Sequence, residues 1–88
     1  MILKISYVHN IISKLPQREK LKDVIFVIED KVLALDQNGN YIKGSYQGNL
    51  ITLYSELIKD KEDLRKVILH EIAHHLGMGH KSIEELGL

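Results

Sequence analysis

Residues 70–80 read His-Glu-Ile-Ala-His-His-Leu-Gly-Met-Gly-His, and this stretch constrains the chain more than any other because its two halves ask for different backbone states. His70 and His74 stand four apart, a spacing that on a helix offsets two side chains by only about 40° around the axis. Both imidazoles therefore project from one face. Gly77, three residues further on, takes the left-handed conformation that closes a helix, a conformation that bulky or β-branched residues resist. A helix that carries the histidine pair and stops at Gly77 lets the chain turn back and makes His80 a candidate partner of that pair.

Two imidazoles side by side, joined by a third after the turn, make a set for one tetrahedral zinc ion per chain. His70, His74 and His80 supply three nitrogens and leave the fourth position to water, which distinguishes a catalytic site from a closed structural one. Glu71 lies about 100° round the helix from His70. There it flanks the ion without ligating it, where a base for activated water is needed. Four of the five histidines fall in this stretch, and a helix with ordinary surface histidines gives no reason for a helix-ending glycine followed by another. His75, about 100° from His74, is too far round to share the ion and reads as a packed or supporting residue. His9 reads as a surface residue, Met78 as a packing residue, and Glu84 and Glu85 as a solvated acidic face.

With 88 residues, the chain is expected to form one domain, residues 1–88, around one modest core, so a bound ion would matter to stability as well as to chemistry. Twelve basic and twelve acidic side chains cancel. No basic block stands out, so an electrostatic case for nucleic acid is missing. Cysteine is absent, which excludes disulfides, thiolate ligands and a cysteine nucleophile. Apolar runs are too short for a membrane span and the amino terminus lacks the pattern of a secretion signal, making the cytoplasm the expected compartment.

Along the chain, Ile2, Ile5, Val8, Ile12 and Leu15 recur at helical spacing, with Leu3 and Ile11 widening the stripe, and Pro16 closes this amino-terminal helix; partial alternation over residues 2–8 leaves a strand as the alternative there. Residues 24–28 form an unbroken β-branched and aromatic run, expected as a strand covered on both faces. A shorter strand is expected over residues 32–35, followed by a turn over 36–40 centred on Asn-Gly. Residues 41–48 are polar, aromatic and glycine-containing, fitting a loop or an irregular edge strand. In residues 49–54, Leu50, Thr52 and Tyr54 alternate with Ile51 and Leu53, giving a strand whose faces meet different environments. Asp60 is a good N-cap, with Asp63 in the first turn. From about residue 61 to 76 a helix then sets Leu64, Ile68, Ile72 and Leu76 on one face, with His70 and His74 nearly opposite.

The extended motif is similar to that of the metzincin clan of zinc metallopeptidases. More of the chain resembles a family of small bacterial zincin-like metallopeptidases: Asn49-Leu50-Ile51-Thr52-Leu53-Tyr54, a short loop, an acidic-start helix leading into residues 67–77, and the ending Ile83-Glu84-Glu85-Leu86-Gly87. Leu15-Pro16 and the strand over residues 24–30 fit in order and spacing. The resemblance implies an α+β fold of minimal zincin type, with an amino-terminal helix, a small mixed β-sheet and an active-site helix. It also carries over His70 and His74 as ligands and Glu71 as base. The large metzincins have a methionine turn after their third histidine, whereas none of the eight residues after His80 is methionine. Small family members often place an acidic residue where His80 stands.

Peptide hydrolysis is the leading expectation, with Glu71 accepting a proton from water and passing it to the leaving amine. The strand over residues 49–54 is expected at a sheet edge, binding an extended peptide or protein substrate by strand addition. Tyr46 and Tyr54 read as amphipathic surface aromatics. Two other readings stay open. The histidine spacing and Gly77 also resemble the bacterial endoribonucleases of ribosomal-RNA maturation, which usually lack a glutamate at the second motif position. A zinc-binding module without turnover is the third.

Overall fold

Alternation in the strand Leu50–Tyr54 organises the molecule: Ile51 and Leu53 are fully buried while Leu50, Thr52 and Tyr54 face outwards. The computed structural model describes residues 2–16 and 18–77. In chain order these hold α1 (Ile5–Ser13), a 3₁₀ turn (Arg18–Leu21), β1 (Ile25–Glu29), β2 (Ala34–Leu35), β3 (Tyr41–Ile42), β4 (Gly44–Gln47), β5 (Leu50–Tyr54), a second 3₁₀ turn (Ser55–Leu57) and α2 (Lys61–His75).

The architecture is α+β, with a three-stranded sheet in the order β1-β5-β4 and a separate β2-β3 hairpin. The larger sheet is mixed. β5 runs parallel to β1, with Phe26 opposite Ile51 and Ile28 opposite Leu53, and antiparallel to β4, with Tyr46 opposite Ile51. The inward residues of β5 meet Val8 of α1 and Leu64, Ile68 and Ile72 of α2 in one core. Burying each aliphatic side chain of that size is worth about 1.5–3 kcal/mol. None of the helices among the described residues is long and apolar enough to cross a membrane.

Three expectations require correction. The strand over residues 49–54 is no edge: β5 is the central strand, paired with β1 on one side and β4 on the other, since its alternation decides which face is buried but not how many strands flank it. The irregular edge is β4, which follows β3 after a break at Lys43. The run over residues 24–28 is not covered on both faces: no side chain of β1 is fully buried and Ile25 is 54% exposed. Finally, the amino-terminal helix begins only at Ile5; Leu3 is buried ahead of it, while Ile2 stays exposed.

Candidate active site

α2 is fixed first at its amino end. The Asp63 backbone N–H donates to the Asp60 carboxylate at 2.8 Å, and the Asp63 carboxylate accepts the Lys59 N–H at 2.9 Å. The first bond satisfies a donor that the opening helical turn leaves unpaired, and the second ties the chain just before the N-cap to that turn. Lys43, between β3 and β4, then places its Nζ 3.0 Å from both Asp63 carboxylate oxygens. Burial pushes the Asp63 carboxyl up, but the Lys59 N–H and the Lys43 ammonium outweigh it and hold the group below the ordinary aspartate value.

From this anchor the helix runs beside β4 at unusually short range. Gly44 has no side chain, and a Cβ built there would lie 2.8 Å from Val67 Cγ1 and 3.3 Å from Glu71 Cγ. The glycine thus lets strand and helix approach closely at the level of the site. Glu71 is only 7% exposed as a result. His70 and His74, one turn apart, are half-buried and meet edge to face, with ring centroids 5.0 Å apart. Both histidines and Glu71 line a recess of about 390 Å³ walled by β4. His70 and Glu71 also line an adjoining recess of about 350 Å³ that extends towards Lys66 and Tyr41.

The carboxyl end of α2 is tied to the same strand. Tyr46 Oη lies 2.8 Å from His75 Nδ1, the two rings pack edge to face, and His75 Nε2 is 3.7 Å from the Asp23 carboxylate. His75 is therefore the packed residue its helical position predicts. Gly77 leaves the helix with φ +84° and donates its N–H to the His74 carbonyl at 3.0 Å, so the helix ends where the glycine indicated. Leu76 is more exposed than the apolar stripe implied, because it lies beyond the last helical turn.

His80, the expected third ligand, lies outside the described residues, as do Met78, Glu84 and Glu85. Among the described residues no three histidine, aspartate or glutamate side chains gather closely enough to hold a metal ion. What is present is a pair of helix-borne imidazoles opening on a cleft, with a buried carboxylate one position along, and this donor set fits the nitrogen-rich part of a zinc site. His9 is exposed on α1 and borders a different recess.

Two residues gain a place that the sequence did not assign. Tyr46 is half-buried, bonded to His75 and part of the cleft wall, and so is more than a surface aromatic. Asp36, read only as part of a turn, lines the recess shared by His70, Glu71 and His74. Its Oδ1 accepts the N–H groups of Asn38 and Asn40, each at 2.9 Å. The one available signal was aspartate at the start of an Asn-Gly turn, which identifies a turn but not what the turn faces. Searches against family models, curated proteins and solved structures return no match for this chain.

Proposed function

We propose that this chain is a zinc-dependent peptide hydrolase of zincin-like type, with His70, His74 and His80 holding one zinc ion and Glu71 acting as general base. The observation that carries the reading is the edge-to-face His70–His74 pair opening on a cleft beside the buried carboxylate of Glu71. A zinc ion held by these histidines would supply a Lewis acid that polarises a carbonyl and acidifies water.

The protein's own groups account for the rest. Glu71, confined between α2 and the bare backbone of Gly44, has little freedom to swing away and keeps its carboxylate at one place beside the histidines. In that position it takes a proton from the attacking water and returns it to the departing amine, the general-base and general-acid roles of one carboxylate. The ladder edge of β4 away from β5, which no strand among the described residues pairs, offers backbone donors and acceptors to an extended peptide, which would pair with it as an added strand. Such pairing aligns a scissile bond without demanding one sequence. The Lys43–Asp63 and Tyr46–His75 contacts hold the ends of α2 against this wall and keep the histidines in register with it.

Elemental analysis of the purified protein beside His70→Ala and His80→Ala tests the assignment, together with cleavage of an unbiased peptide library. One zinc per chain in the wild type, weakened binding in both variants and zinc-dependent cleavage are the expected results. Undiminished zinc affinity in His70→Ala would refute the ligand set. Failure to cut peptides, with Glu71-independent cutting of structured RNA, would replace peptide hydrolysis by an endoribonuclease activity.

A further inference from the structure

Charge is distributed unevenly along the cleft. The recess on the His74 side contains Asp36, and no lysine or arginine is among the described residues that line it. The adjoining recess contains Lys43 and Lys66. His70 and Glu71 border both, so the opposite charges lie on either side of the proposed reaction centre. Lys43 is neutralised by Asp63, whereas Lys66 is exposed and makes no ion pair among the described residues. Asp36 is likewise exposed and free of any ion pair among the described residues, yet its two backbone hydrogen bonds hold the carboxylate in place. A fixed anion and an extended cation therefore bracket the centre.

The direction of a docked chain follows from the way β4 lies on α2. Gly44 is opposite Val67 and Glu71, and Tyr46 is opposite His75, so strand and helix run the same way. Antiparallel pairing is slightly more stable per residue than parallel pairing. A peptide antiparallel to β4 runs from Tyr46 towards Gly44, and so from the recess that Asp36 shares with Tyr46 and His74 to the one that Lys66 shares with Val67. The helix rises about 12 Å from Lys66 to His74, a span of roughly four extended residues.

Resting on the peptidase reading, we propose that Asp36 and Lys66 determine specificity by charge, selecting extended peptides with a basic side chain on the amino-terminal side of the scissile bond and an acidic one on the carboxyl-terminal side. Asp36 receives the basic group and Lys66 the acidic one. Long-range attraction also orients the chain before its backbone pairs with β4.

The test uses the zinc-loaded Glu71→Gln protein as a binding trap and two fluorescent alanine-based peptides of equal length, one with lysine before and glutamate after the centre, the other with these exchanged. Exposed ion pairs are individually weak, so the two charge contacts together should favour the first peptide by up to about tenfold at low salt, less as salt rises. Exchanging both charges, Asp36→Lys with Lys66→Glu, should reverse the order. Lys66→Gln, on an exposed helix face, should reduce the preference even if the double variant folds poorly. Equal binding of the two peptides, or the opposite preference, would overturn the charge assignment. If zinc-loaded wild type still cuts both peptides, the hydrolase reading survives that result. If neither peptide is bound by the trap or cut by the wild type, specificity and peptide hydrolysis fall together.

Discussion

Gly44 and Glu71 are in such close register that a methyl group on the glycine would stand 3.3 Å from the Cγ of the glutamate, and 2.8 Å from Val67 Cγ1. Gly44→Ala must therefore push α2 away from β4 or rotate Glu71. The expected cost is about 1–3 kcal/mol of stability, the usual range for overpacking a tight contact. Hydrolysis should fall further than that loss explains at temperatures where the variant is still folded. Chemical denaturation measured beside turnover checks this. A variant with unchanged stability and activity would show that the close approach has no functional weight.

Glu71→Gln should retain zinc and the fold while losing about 10²–10⁴-fold in hydrolysis, because an amide preserves the shape but cannot take the proton. Zinc content, circular dichroism and single-turnover rates together distinguish chemistry from structure. Turnover comparable with the wild type would exclude Glu71 as the base.

Zinc removal should lower the melting temperature, since an ion that binds only the folded state stabilises it by about 2.7 kcal/mol when present at a hundredfold excess over its Kd. In His70→Ala the difference between zinc-loaded and chelator-treated melts should shrink or vanish. Identical wild-type melts with and without chelator would count against a site formed only in the folded protein.

The Lys43–Asp63 contact predicts acid sensitivity with a definite sign. The Asp63 carboxyl is held below its ordinary value of 3.8 in the folded state, so its contribution is fully present above that pH and is lost as pH falls through the lower, folded value. Asp63→Asn should therefore melt below the wild type near neutrality. The gap should narrow as the pH drops under 3.8. A gap independent of pH over this window would show that Asp63 acts through packing and not through its charge.

Legibility of these features followed the distance over which each one is encoded. The ends of α2 were visible because Asp60 bonds three residues ahead and Gly77 acts on the turn just before it. The two faces of β5 were visible in its own alternation. Its position between β1 and β4 was not, since one strand's side chains say which face is buried but not how many neighbours complete the sheet. The partnership of Tyr46 with His75 joins residues 29 apart, and no local period relates them. Asp36 reaches the cleft only because the chain between β1 and β5 folds over the histidine-bearing face. Conversely, His70, Glu71 and His74 were legible as a group because helix geometry fixes their relative directions whatever surrounds them.

The parallel pairing of β1 with β5 has a consequence for how the cleft comes into being. Everything from residue 30 to residue 49 is the connection between two adjacent parallel strands, and that connection contains β2, β3 and β4. The wall facing the histidines is thus a closed loop whose ends meet only when β1 and β5 join, and closing such a loop must be offset before its non-local contacts contribute. A chain in which α2 has formed but β1 and β5 have not yet joined possesses the histidine pair but no wall to set it against. Under the hydrolase reading, the cleft is complete only once β1 and β5 have joined, so its competence depends on the most non-local pairing of the sheet and not on the helix that bears the histidines.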